Sequence, residues 1–166
     1  MIRPAEPADT PTLVALSAST GVFKPYELQV LDELLTEFHA GNLGEDHTAI
    51  VLQHETTIVG YAYYAPDVMT DQTWYLYWIA VHAAQHGQGY GRELMGSVEE
   101  DIRGREGRLI LIETSSLPHS ERTRGFYQKQ GYELCARIAD FYSDGDDMVV
   151  FRKRLRAAKP PAKKHP

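Results

Sequence analysis

The sequence has 166 residues, 17 Lys and Arg against 23 Asp and Glu, a formal charge of −6, and 43% apolar residues. That length fits one globular domain with a real core, and the acidic balance argues against a nucleic-acid binder. No apolar run is long enough for a bilayer, MIRPAEPADT has no apolar signal region, and Cys135 stands alone, so a cytoplasmic, metal-free protein without an intrachain disulfide is expected.

Ile2–Pro4 reads as a short strand. A first helix starts near Thr10 and Pro11, because proline suits a first turn, and Gly21 ends it. A second starts near Pro25, carries Leu28, Leu31, Leu34, Leu35 and Phe38 on one face, and stops at Gly41. The loop between them holds Phe23 and Tyr26, which either line a pocket or staple the helices together. Thr48–His54 and Thr57–Ala65 read as an antiparallel hairpin, with Gly60 marking a bulge or a close approach.

Trp74–Val81 reads as a central strand, followed by a polar turn and a helix starting near Gly89 with Leu94, Met95, Val98 and Ile102 on one face. Gly104 and Gly107 end that helix. Arg108–Thr114 is a buried strand by its Leu and Ile content, and Arg122–Gln130 is a short helix. Tyr132–Tyr142 and Met148–Leu155 are strands joined at Asp144-Gly145. Cys135, within the first of these, reads as a packed residue and not a nucleophile. The order β α α β β β α β α β β predicts an α+β fold with a mostly antiparallel mixed sheet and about four helices, over residues 1–156. Residues 157–166, rich in Pro and Lys, read as a disordered basic tail that is solvated and not a binding arm.

Gly87, Gly89 and Gly91 lie between the central strand and its helix. Such a turn can aim free N–H groups at a phosphate. The spacing is not the Gly-x-Gly-x-x-Gly of a dinucleotide site, and no Lys-Ser/Thr follows as in a P-loop. A turn that binds nothing is the plain alternative.

The segments Ile79-Ala80-Val81, Gly87-Gln88-Gly89-Tyr90-Gly91-Arg92 and Phe126-Tyr127-Gln128-Lys129-Gln130-Gly131-Tyr132 resemble those of the GCN5-related N-acetyltransferase (GNAT) superfamily. The resemblance extends to the element order over about residues 1–155. It implies acetyl-CoA as co-substrate, with Ile79, Ala80 and Val81 pairing with pantetheine through their backbone. It places His86, Gly87, Gln88, Gly89, Tyr90, Gly91 and Arg92 at the pyrophosphate. His86 stands where the family usually has Gln or Arg, so its help would depend on pH. Ser120 stands at a family asparagine on the loop before the last helix.

Acetyl transfer needs a proton acceptor for the amine, alignment, oxyanion stabilisation and a proton for the leaving thiolate. The resemblance places Tyr127 near the CoA sulfur as the acid; the alternative is a packed aromatic. The central-strand glutamate of some members is matched by Tyr75, which cannot act as a base. Glu113, at the exit of a buried strand, is the base candidate. Leu111-Ile112-Glu113 is similar to a segment of ribosomal-protein N-terminal acetyltransferases, while a structural carboxylate or an ordered water remains open. Phe23, Tyr26, Tyr75, Tyr77, Asp140 and Tyr142 are expected to bound the acceptor pocket, or else to be ordinary surface residues.

The expected activity is direct acetyl transfer to a primary amine, on a small molecule, a protein N-terminus or a lysine. The alternative is a non-catalytic acyl-CoA sensor, and a homodimer through the β-rich C-terminal half is compatible with either.

Overall fold

The computed structural model describes residues 1–156, so the tail expected over 157–166 lies outside them. Seven strands form one sheet: β1 (Ile2–Pro4), β2 (Thr48–His54), β3 (Thr57–Pro66), β4 (Thr73–Val81), β5 (Leu109–Ser115), β6 (Glu133–Ser143) and β7 (Asp146–Arg154). Their spatial order is β1-β2-β3-β4-β5-β7-β6. All neighbours are antiparallel except β4 and β5, which run parallel.

Helices α1 (Thr10–Ser19) and α2 (Pro25–His39) cover one face, and α3 (Tyr90–Gly104) and α4 (Glu121–Lys129) pack on the other. Leu13, Leu16, Leu31 and Leu35 meet Val51, Tyr61 and Tyr63 on the first face. Leu94, Met95, Val98 and Ile102 meet Trp74, Leu76, Ile110 and Phe151 on the second. The stripe read from α3 is therefore its buried face. Among the described residues no helix is long and apolar enough to cross a membrane.

Two irregularities shape the sheet's centre. Leu52 pairs with Gly60 but Gln53 pairs with Ile58, which leaves Val59 as the extra residue of a bulge next to the glycine. A Cβ on Gly60 would lie 2.8 Å from Leu94 Cδ1 and 2.9 Å from the Ala80 carbonyl oxygen. Gly60 thus stands beside a bulge and at a close approach. On β4, Tyr63 pairs with Trp78 and Tyr64 with Leu76, so Tyr77 is the extra residue of a second bulge. Leu76 packs toward α3 and α4 while Trp78 packs toward α1 and α2. Without the bulge, residues two apart would share a face.

A buried ion pair ties the second helical layer together. Lys153 Nζ donates to Glu99 Oε1 at 2.7 Å, to Glu99 Oε2 at 2.9 Å and to the Gln130 carbonyl at 2.8 Å. It links β7, α3 and the C-terminal end of α4. The edge strand β6 is exposed along its whole length, so Cys135 is exposed and not packed. β6 is held as a strand by its pairing with β7, without burial.

Gly60→Ala should destabilise the protein by about 1–3 kcal/mol, because a backbone oxygen blocks the methyl group. Gly96→Ala, in the exposed middle of α3 with open space around it, should stabilise by roughly 0.5–1 kcal/mol. Urea unfolding of both variants checks the pair of signs.

Candidate functional site

Parallel pairing between β4 and β5 covers only Thr73–Leu109, Trp74–Ile110 and Tyr75–Leu111. Beyond Tyr75, β4 remains paired with β3, and beyond Leu111, β5 remains paired with β7. The two strands therefore part, and each presents an unpaired edge to the gap. A cavity of about 480 Å³ fills this gap, and a second of about 230 Å³ adjoins it.

The backbone on the β4 edge can be assigned by alternation. His82 N–H donates to Val59 O across the β3 side, and the Ala80 carbonyl also faces β3. In an antiparallel ladder both backbone groups of a residue point to the same side. Ile79 and Val81 therefore turn theirs toward the gap. Ala80, expected to act with them, lines the cavity but commits its backbone to β3.

The glycine turn closes one end of the gap. Gly87 and Gly89 have φ of 84° and 87°, the left-handed region that glycine enters without strain. Gly89 precedes α3, whose first intrahelical bond runs from Glu93 N–H to Gly89 O. Among the described residues, the N–H groups of residues 87–92 have no backbone acceptor outside the helix, and α3 supplies none to its own first turn. This run of free donors at a helix N-terminus fits the pyrophosphate of a nucleotide-bearing ligand.

His86 is placed differently from expectation. Its Nε2 lies 2.8 Å from the Val81 carbonyl, which can only accept, so that nitrogen carries the proton. In the neutral ring Nδ1 is then an acceptor and has no proton to offer a phosphate. Gln88 directs its side-chain amide to Gln85 Oε1 at 2.7 Å and does not line the cavity. Its backbone N–H still belongs to the turn. Arg92 lines the cavity, as do Arg122 and Lys129 of α4. None of these three makes an ion pair among the described residues. Arg122 and Lys129 escaped the sequence reading. Their i,i+7 spacing on α4 was visible, but nothing in it said which face meets the turn.

Tyr127 and Glu113 both line the larger cavity. Tyr127 is 5% exposed, with its ring 5.7 Å from those of Phe126 and Phe151 and 6.2 Å from Tyr132. Its hydroxyl makes no hydrogen bond among the described residues and is not sealed from solvent. Burial pushes the phenol pKa up strongly, which keeps it protonated. Glu113 sits past the point where β4 and β5 part and lines both cavities. Although open to water, it is crowded enough that partial burial raises its pKa above the usual carboxylate range.

The smaller cavity gathers Phe23, Tyr26, Tyr75, Tyr77 and Tyr142. Tyr75 and Tyr77 stack with ring centroids 5.5 Å apart. Phe23 packs 5.1 Å from Trp78 while also facing both cavities, so it serves as wall and as staple. Tyr26 stands at the mouth, 57% exposed. Ser120, expected beside the cofactor, is 2% exposed and lines this smaller cavity instead. The short 3-10 turn at Pro118–Ser120 carries it there.

Asp140 lines neither cavity. It has φ 52° inside an irregular stretch of β6, and its Oδ1 accepts from Gly145 N–H at 2.7 Å. It therefore shapes the β6–β7 hairpin. Besides Glu113, the acids on the smaller cavity are Asp146 and Glu27; both were missed because they lie outside any recognisable motif. No cluster of His, Cys, Asp and Glu able to hold a metal occurs among the described residues.

Residues 16–132 match the model of the acetyltransferase (GNAT) family. A crystal structure from Desulfovibrio desulfuricans, described as a GNAT-family acetyltransferase, is 33% identical over 94% of this chain and 99% of that one, with a TM-score of 0.88. The ribosomal-protein-S18-alanine N-acetyltransferase of Escherichia coli is 16% identical, with 98% and 97% of the chains covered and a TM-score of 0.77. An aminoglycoside 6'-N-acetyltransferase complexed with coenzyme A is 15% identical, with 96% and 99% covered and a TM-score of 0.77. These last two share the fold. No curated protein matched the sequence.

Arg92→Ala and Arg122→Ala should each weaken coenzyme A binding several-fold at low salt, with a smaller loss at high salt as screening takes over. Calorimetry at two ionic strengths checks this; unchanged affinity in both variants would remove the cationic rim from the site.

Proposed function

The chain belongs to the GNAT acetyltransferase family, and from that premise we propose that it transfers the acetyl group of acetyl-CoA directly to a primary amine. The observation that carries this reading is the convergence of four features on one cavity. The open edge of β4, the turn of free N–H groups, Glu113 and Tyr127 all line it. A binding-only domain needs the first two and has no use for a polar proton donor held among aromatic rings.

When bound, acetyl-CoA supplies an activated thioester and a thiolate leaving group. The N–H groups of residues 87–92 hold the pyrophosphate, and Ile79 together with the Val81 N–H orients the pantetheine arm as an added strand, the Val81 carbonyl being taken by His86. The gap between β4 and β5 admits that arm without breaking any ladder. Glu113 takes the proton that the attacking amine sheds, directly or through a water. Its raised pKa brings it closer to working pH than an ordinary glutamate, which improves the match for a base. Tyr127 donates its phenolic proton to the sulfur as the carbon–sulfur bond breaks. No covalent enzyme intermediate is needed, so no nucleophile–histidine pair is required.

The smaller cavity receives the acceptor. It joins the larger one at Glu113, Thr114, Tyr77 and Trp78, so an amine entering from it meets the thioester beside the base. Aromatic faces favour a cationic or partly apolar amine.

Tyr127→Phe should lower kcat by about 10²-fold or more while leaving the affinity for acetyl-CoA within about twofold. Because its hydroxyl has no protein partner, unfolding free energy should stay within about 0.5 kcal/mol. For the wild-type protein, kcat/KM should fall as pH drops through the raised Glu113 pKa, where the protonated carboxyl can no longer accept. Glu113→Gln should lack that acidic limb. Acetyl-CoA binding with no turnover on any amine would favour the sensor reading.

A further inference from the structure

The smaller cavity is acidic at its far end. Asp146 opens β7 and is 2% exposed. Its Oδ1 accepts from Ser115 Oγ, while Oδ2 has no hydrogen-bond donor among the described residues. That oxygen is not sealed from solvent, and the residue lines the cavity. An unpaired carboxylate oxygen in so buried a position is costly unless a donor arrives.

Its surroundings select the sign of that donor. Glu27 and Glu113 line the same cavity, facing Lys24 and His119 as the only basic side chains on it among the described residues. Lys24 offers little to the interior, since its charged end leans toward the exposed Tyr26 ring, 5.8 Å from the centroid. The Tyr142 hydroxyl is pushed up to about 12, mainly by burial and further by the charges of Glu113, Asp146 and Glu27. The rings of Tyr75 and Tyr77 give the middle of the cavity an apolar flank.

Resting on the acetyltransferase reading above, we infer that the acceptor is a small diamine, acetylated at the nitrogen beside Glu113 while its second, ammonium nitrogen is held by Asp146 Oδ2. The spacing follows from the strand. Glu113 and Ser115 project from the same face of β5, about 7 Å apart, and Asp146 is one hydrogen bond beyond Ser115. An extended chain advances about 1.2 Å per bond, so about five carbons between the nitrogens, with a hydrogen bond at each end, are enough to reach both carboxylates. In the reaction the near nitrogen's lone pair forms the amide bond, its proton passes to Glu113, and the carbon–sulfur bond breaks with a proton from Tyr127. The far nitrogen stays an ammonium ion throughout. A cavity of about 230 Å³ suits such a molecule and is small for a folded protein's N-terminal segment.

The test compares pentane-1,5-diamine with pentylamine as acceptors, alike except for the second nitrogen. Wild-type kcat/KM should favour the diamine by about tenfold or more, chiefly through KM. In Asp146→Asn that preference should collapse toward one, with a thermal melt reporting that the variant is folded. Equal kcat/KM for the two amines in the wild-type protein would overturn the inference whatever the variant does, and leave the acetyltransferase reading standing. A preference that survives Asp146→Asn in a folded variant would also overturn it. If neither amine is acetylated, calorimetry of each amine with the coenzyme A-loaded protein separates the claims. Tight diamine binding that depends on Asp146 would keep the cation site and sink the reaction, while no diamine binding would sink the inference as well.

Discussion

The site depends on one break in a hydrogen-bond ladder. β4 and β5 pair for three residues and then separate at Tyr75 and Leu111. Edge groups that would be costly to bury unpaired are left open to a ligand. The break is held from both sides. The bulge at Tyr77 turns Trp78 onto the α1–α2 face and aims the backbone of Ile79 and Val81 at the gap. On the other side, α4 packs Phe126 and Tyr127 into the space, and Arg124 Nη1 donates to the Ser115 and Leu117 carbonyls at 2.8 and 2.9 Å. The Glu99–Lys153 pair fixes α4 relative to α3, and so fixes Tyr127 relative to the glycine turn.

Charge is distributed along this gap in a way that the net value of −6 conceals. Arg92, Arg122 and Lys129 surround the end with the free N–H groups. Glu27 and Asp146 line the other. An anionic ligand and a cationic ligand would thus approach from opposite ends and meet where the two cavities join. Glu113 sits at that junction, where partial burial raises its pKa and an open side lets a proton leave.

Much of the fold was legible because its signals are local. Pro11 and Pro25 mark the first turns of α1 and α2, and the stripe from Leu94 to Ile102 gave the buried face of α3. Gly60 could be read as marking a bulge or a close approach because a glycine inside a strand has few other reasons to be there. What stayed hidden is non-local. Nothing in WYLYWIAV announces that Tyr77 will be unpaired, since that depends on the register of β3. Without it, Ile79 and Val81 could not be separated from Ala80. His86 was read as a phosphate ligand because its partner, the Val81 carbonyl, becomes available only where β4 loses its neighbour. Asp140 and Asp146 show the same limit. Both flank the β6–β7 turn, and only the irregular pairing of β6 puts one in the hairpin and the other against Ser115 in the cavity.

The central claim is that the parted edge of β4 and the glycine turn together bind acetyl-CoA. Amide hydrogen exchange, resolved by residue with and without acetyl-CoA, tests it directly. The account expects added protection at Ile79, Val81 and residues 87–92, with little change at Ala80, whose amide is already committed to β3. Protection confined to other segments, or none at saturating acetyl-CoA, would contradict it.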